Sequence, residues 1–362
     1  MRIIATFACA AAVCAMAATG CNVGFEGNQG NLEFNYETDE YSAKKPVAVD
    51  TTVLLRTHLA TTNQNNSGQN NSGNNSGSSS NGKVEVTNVA SNKSSVIAVE
   101  GFAQKEKNSF VLSAKSAGTA DITVDVKKAD GTTVSDGFTL EAREAKKIEL
   151  SHPCGESSSN TKPVYLTGQT VAVEKTLYGP NGDELTGRGL NPVDVSGPSS
   201  GAALADPAGD SNLLNVATGD TAGTITLSPT IGGKDLKLDV KDESKIDTVE
   251  WLGGSSSSNS KPMLLPMDKS KDEGVMFPTF EIGGRPVCKG EVSLSVDNKT
   301  PDVCSAATEH PDNPGAMFAE YGDMHTTVKL TAKKQAMCKF DVSVDGAGSG
   351  AKSSAEVDVS KL

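Results

Sequence analysis

The chain has 362 residues and carries 33 Lys plus Arg against 45 Asp plus Glu, a formal net charge of −12 at pH 7. That balance leaves no cationic footprint for nucleic acid, is repelled by anionic headgroups, and suits solubility on a crowded surface. Aromatic residues make up only 4% while Gly numbers 36, a composition that favours short strands and turns.

Residues 1–20 read as a signal peptide. Arg2 supplies a positive start, and Ile3 to Ala18 is apolar except for Thr6. That run is shorter than the roughly 20 residues needed to span a bilayer, but it suits the apolar region of a secretory leader. Ala15-Met16-Ala17 permits cleavage after Ala17. Ala18-Thr19-Gly20-Cys21 resembles the lipobox of bacterial lipoproteins, with Ala18 where Leu is usual. Cleavage there makes Cys21 the first mature residue. The resemblance implies a diacylglycerol on the Cys21 sulfur and a further acyl chain on its amino group, each buried CH₂ adding about 0.8 kcal/mol. Asn22, rather than Asp, follows the cysteine, which by similarity to Gram-negative lipoproteins implies outer-membrane sorting. Loss of Arg2 takes the formal charge from −12 to −13.

The 342 residues that remain (362 − 20) are too many for one core and suit about three domains. Of seven cysteines, Cys9 and Cys14 leave with the leader and Cys21 is the anchor. Cys154, Cys288, Cys304 and Cys338 remain, an even number that permits two disulfides in three connectivities in an oxidising compartment. The chain has no CxxC pair, so neither a zinc site nor a thioredoxin-like site is expected, and no cofactor is implied.

The mature chain repeats itself. Lys147-Ile148 recurs as Lys245-Ile246, and Lys162-Pro163 as Lys261-Pro262, offsets of 98 and 99. Lys45-Pro46 precedes Lys162-Pro163 by 117, an excess explained by the 20-residue Asn/Ser/Gly insert at 63–82. Toward the repeat ends, Gly118-Thr119 matches Gly223-Thr224, while Ala114, Ile122 and Val124 match Ala332, Phe340 and Val342. These segments alternate apolar and polar residues with period two, the pattern of half-buried strands. Ala120, Ile122, Val124 and Val126 share one face, and "ADGTT" (129–133) and "PNGDE" (180–184) read as hairpin turns. The expected organisation is a leader (1–20), a lipidated tether (21–30) and domains at 31–144, 145–242 and 243–362. Roughly seven short strands per 100 residues make each an all-β Greek-key sandwich.

"SNKSSVIAVEG" (91–101) followed by "FVLSAKSAGTADITVDV" (110–126) resembles the bacterial immunoglobulin-like domain of group 2, the type found in intimins and invasins. The second repeat keeps Ala222-Gly223-Thr224 without a clear copy of the first of these strands, and the third has lost Gly-Thr. The resemblance implies three tandem sandwiches used as spacer or adhesion modules, and it brings no catalytic residues.

Cys338 falls on the Ala120 site and Cys304 on the Ala98 site, so both are expected inside the third sandwich, with Cys304–Cys338 the leading pair. Cys154 and Cys288 then pair across the second and third domains or stay reduced. The insert at 63–82 has no charge and no apolar residue, so it buries nothing and is expected to be disordered. Gly197-Pro198-Ser199-Ser200-Gly201 satisfies G-x-S-x-G, but Pro207 and Gly209 follow where a nucleophile elbow needs a helix. His58, His152, His310 and His325 never stand at ligand spacing, and no Asp-x-Asp-x-Asp-Gly run exists for calcium. The stretch 306–326 is about a dozen residues longer than its first-repeat counterpart and holds Met317, Phe318, Tyr321, Met324 and His325. In so aromatic-poor a chain, these side chains either contact a partner or cap the sandwich.

The reading is a non-enzymatic cell-envelope lipoprotein that holds its last domain on the order of 100 Å from the membrane, from strands at about 3.3 Å per residue. The membrane is engaged through the lipid, and a glycan or an envelope or foreign-cell protein is the expected partner. The alternative is an accessory subunit of an outer-membrane or periplasmic assembly.

Overall fold

A computed structural model describes residues 24–36, 44–60, 84–102, 106–152, 154, 162–198, 203–206, 212–252, 264–268, 272–288, 291–309, 326–348 and 351–361. The described residues are all-β, with helical turns only at Glu243–Lys245 and Val359–Lys361. The leader, Cys21, the insert at 63–82, Ser199 and the residues from Met317 to His325 lie outside them.

The first unit runs through β1 (Phe25–Glu26), β2 (Leu32–Tyr36), β3 (Val47–Ala48), β4 (Thr51–Leu59), β5 (Glu85–Ser91), β6 (Ile97–Phe102), β7 (Ser109–Ala114), β8 (Gly118–Lys127) and β9 (Thr133–Arg143). Its sheets have the orders β1-β2-β4-β7-β6 and β3-β9-β8-β5. The alternation along β8 dictates the packing: Ala120, Ile122, Val124 and Val126 are at most 1% exposed, while the residues between them face outward. Four rings close the core, Phe34 lying 4.6 Å from Phe138 and 6.4 Å from Phe110, and Phe25 lying 5.3 Å from Phe138. The β8–β9 turn closes through Lys128 N–H to Thr132 C=O at 2.8 Å, with Gly131 at φ +85°.

The second unit comprises β10 (Lys147–Ser151), β11 (Val164–Leu166), β12 (Thr170–Tyr178), β13 (Glu184–Leu185), β14 (Val193–Ser196), β15 (Ala203–Asp206), β16 (Leu213–Ala217), β17 (Gly223–Pro229) and β18 (Leu236–Lys241). Its sheets are β10-β12-β16-β15, with β13 beside β12, and β11-β18-β17-β14. The strand for which this repeat shows no clear sequence copy is present as β15, paired with β16 through an irregular register.

In both units the chain leaves one sheet after its early strand and crosses to the other. There it pairs in parallel with the unit's last strand: Val47 with Ala142, and Val164 with Asp239. Tyr36 Oη donates to Lys45 C=O at 2.8 Å and pins the first crossing. A left-handed residue then turns the chain into the long strand, Asp50 (φ 63°) in the first unit and Gly168 (φ 73°) in the second.

The third unit comprises β19 (Thr248–Trp251), β20 (Leu264–Asp268), β21 (Glu273–Met276), β22 (Pro278–Ile282), β23 (Arg285–Pro286), β24 (Leu294–Asn298), β25 (Cys304–Glu309), β26 (Thr327–Ala332), β27 (Met337–Val344) and β28 (Lys352–Asp358). Here the crossing differs. β19 pairs with β22 and β20 with β21, so both run along consecutive halves of one partner. Among the described residues no strand covers the outer edge of β28.

The register also corrects one alignment. Cys304 pairs with Ala332 as Ile97 pairs with Ala114, so the counterpart of Cys304 is Ile97 and not Ala98. Ile97 is 1% exposed, and a one-residue slip in a strand inverts its facing. Residues 24–30, expected within the tether, belong to the first unit, where Phe25 pairs with Phe34.

Candidate functional site: the joints between units

Two of the Lys-Pro dipeptides that set the repeat period, Lys45-Pro46 and Lys162-Pro163, lie at contacts between units, and Lys261-Pro262 lies outside the described residues. In the first joint, Lys45-Pro46 leads into Val47-Ala48, which the second unit meets with the segment after its β12–β13 hairpin. Ala48 N–H donates to Thr186 C=O at 2.8 Å, and Thr186 N–H to Pro46 C=O at 2.9 Å. Thr52 N–H and Arg188 N–H each donate to the other's carbonyl, at 3.0 and 2.8 Å. Ala48 is fully buried and packs into the core of the second unit. Lys45 pairs with Glu184 at 2.9 Å, and Arg143 with Asp183 at 2.6 Å. Arg143 is pushed further toward its charged form by Glu141 first and Asp183 second.

Gly187 shows why this segment must be thin. Its φ is +137°, and a Cβ there would sit 2.0 Å from Thr51 Oγ1 and 2.6 Å from Thr51 Cβ. Gly187→Val is expected to open the first joint at a cost of about 1–3 kcal/mol while leaving both cores folded. Hydrogen exchange checks this: the amides of Thr52 and Arg188 should lose protection selectively, and unchanged protection there would refute the joint's dependence on Gly187.

The second joint repeats the arrangement. Lys162-Pro163 leads into Val164, whose carbonyl accepts from Cys288 N–H at 2.8 Å beside a parallel bridge to Val287. Arg285 Nε donates to Lys162 C=O at 3.0 Å and Nη2 to Pro163 C=O at 3.1 Å, while Nη1 pairs with Asp239. Burial pushes the Asp239 carboxyl up, but Arg285 and Lys241 outweigh it and hold the group below the usual aspartate range. Gln169 Nε2 reaches Glu291 C=O at 2.8 Å. Leu166 packs into the core of the third unit, and Cys288 into that of the second.

The two joints reach across with ions of opposite sign. In the first, the cation Arg143 stands on the last strand of the earlier unit and the anion Asp183 on the later one. In the second, Asp239 is on the earlier unit and Arg285 on the later. The facing positions themselves match, since Gly118 pairs with Ala142 and Gly223 with Val240: Glu141 and Arg143 of the first unit correspond to Asp239 and Lys241 of the second, and each joint draws on a different member of the same acid–base pair.

Cys154–Cys288 locks the second joint, with Cα atoms 5.9 Å apart across 134 residues. Cys154 is exposed and Cys288 is 1% exposed. Cys304–Cys338 lies within the third unit, where it ties one sheet to the other with both residues fully buried. His152, two residues before Cys154, is buried, its Nδ1 2.7 Å from the Oη of Tyr165 in the second unit's core. Among the described residues no group of three or more His, Cys, Asp or Glu is placed to hold a metal ion, and no helix is long and apolar enough to cross a membrane. In the sequence, Lys-Pro marks the period of the repeat. Its recurrence in each copy, always before an apolar pair, was the available signal for a contact motif.

No protein-family model matches the chain, and no curated protein does. Among solved structures it is similar to domains 4–9 of the surface layer protein SbsC at 15% identity and a TM-score of 0.25, covering 90% of this chain and 47% of that one. The chain thus spans about half the length of that structure. It is similar to invasin, a bacterial integrin-binding protein, at 11% identity and a TM-score of 0.23, covering 90% of this chain and 60% of that one. It is also similar to Bacteroides ovatus SGBP-B of the mixed-linkage glucan utilization locus, in complex with a mixed-linkage heptasaccharide. That match has 11% identity and a TM-score of 0.25, and covers 90% of this chain and 70% of that one.

Proposed function

We propose that the chain is a non-enzymatic spacer and binding module of the cell envelope: three immunoglobulin-like sandwiches anchored by lipid on Cys21. The observation that carries this reading is the repeated joint. Each linker is short, each joint shares a core residue with its neighbour, and one is closed by a disulfide. Such joints hold successive units in fixed relation, which suits a mechanical stalk and serves no evident catalytic purpose. The partner is a glycan or a protein of the envelope or of another cell, met by the third unit through Met317, Phe318, Tyr321 and Met324.

Metabolic labelling with a palmitate analogue tests the anchor. Label is expected on the wild-type chain and none on Cys21→Ala, which should appear in the soluble fraction; an unlabelled wild-type chain overturns lipidation. Protease shaving of intact cells tests orientation through the insert at 63–82. Cleavage places the stalk outside the cell, and protection until permeabilisation moves the reading to a periplasmic assembly subunit.

A further inference from the structure

The inward face of β12 reads Val171, Val173, Lys175, Leu177. The lysine stands seven residues after the left-handed Gly168, as Thr57 stands seven after Asp50 in the first unit. It is 2% exposed and among the largest fully buried side chains of the molecule. Its Nζ contacts Leu190 C=O at 3.2 Å and Asn191 Oδ1 at 2.5 Å. A primary amine therefore lies against a carboxamide inside a sandwich, with the amide carbon one bond beyond the contacted oxygen.

We propose that Lys175 and Asn191 are the two ends of an intramolecular isopeptide cross-link. In the step, Lys175 in its neutral amine form adds through Nζ to Asn191 Cγ. The Nζ–Cγ bond forms and the Cγ–Nδ2 bond breaks. One proton passes from Nζ to Nδ2, which leaves as ammonia. No oxidant, reductant or further reactant enters. The buried, preoriented pair replaces the intermolecular encounter that makes amide exchange slow in water.

The position gives the bond a use. Asn191 ends the segment whose Thr186, Gly187 and Arg188 dock against the first unit. A covalent tie from Asn191 to the central strand β12 fastens that segment to the body of the second unit, so that load crossing the first joint passes into the sheet instead of a loop. Together with Cys154–Cys288, each joint then has a covalent brace on the second unit.

Peptide mapping of the purified full chain, denatured and reduced before trypsin, tests this. The expected product is a branched species in which the peptide containing Lys175, uncut at that residue, is joined to the peptide containing Asn191, one ammonia lighter than their sum. Asn191→Ala and Lys175→Arg should each abolish the branched species. A wild-type digest cut after Lys175 with Asn191 unmodified overturns the proposal. Survival of the branched species in Asn191→Ala overturns the assignment of its partner.

Discussion

Asp136→Ala should destabilise the first unit by about 3–5 kcal/mol and release residues 24–32 from it. Asp136 is 1% exposed, on β9, and its two oxygens accept four backbone N–H groups. Gln29 and Asn31 bind at 2.8 Å, Leu32 at 3.0 Å and Gly137 at 2.7 Å. Gly27 lets the loop close this tightly, since a Cβ there would lie 2.3 Å from the Asp136 carboxyl carbon. Alanine removes every acceptor and leaves the donors facing an apolar hole. Burial pushes this carboxyl up, yet the four N–H groups outweigh it and hold it below the usual aspartate range. A carboxyl depressed on folding contributes stability that is present above its unfolded pKa of about 3.9 and is lost as pH falls through the folded value. Thermal unfolding followed from pH 7 downward should therefore show an acid-side loss that is larger in the wild type than in Asp136→Ala, which keeps only the share of the other depressed carboxyls. Equal acid sensitivity in both would reject this role. With Phe25 already in a ladder, the tether proposed after Cys21 comes down to Asn22 and Val23 before the first described residue, Gly24.

The strands were legible because period-two alternation leaves little freedom. A strand such as 118–127 with four apolar residues on one face must bury that face, and the repeat carried the same reading into weaker copies. The crossing strands were not legible. Val47-Ala48 and Val164–Leu166 are too short to show alternation, and their placement depends on the sheet they join, a long-range matter. Asp136 was hidden for a similar reason: three of its four partners are over 100 residues away in sequence, and backbone donors leave no signature in residue type. Of the joints, the Lys-Pro repeat was visible, but the acceptors of Arg285 include main-chain carbonyls that no side-chain pattern announces. Lys175 is a partial exception. A lysine in the middle of an apolar face is a local violation of the pattern, and such violations mark places where chemistry overrides packing.

Removing the two disulfides should have separable consequences. Cys304–Cys338 closes 34 residues within one sandwich, joining the edge strand β25 to β27 in the facing sheet. In the chain-entropy description a loop of that length contributes about 4 kcal/mol, so Cys304→Ala with Cys338→Ala should lower the melting temperature of the third unit by roughly 15–30 °C. The other units, with separate cores, should be unaffected. Cys154→Ala removes the bridge across the second joint and touches no core, because Cys154 is exposed and Cys288 keeps its buried place. Its expected effect is on the joint: faster exchange at the Cys288 amide, which donates to Val164, with the melting of the third unit little changed. Graded reduction with alkylation mapping should give the same order, Cys154–Cys288 opening first because attack needs access to a sulfur and both Cys304 and Cys338 are fully buried. If Cys304–Cys338 opens first, or if Cys154→Ala melts the third unit as strongly as the double replacement does, the division into a core staple and a joint clamp is wrong.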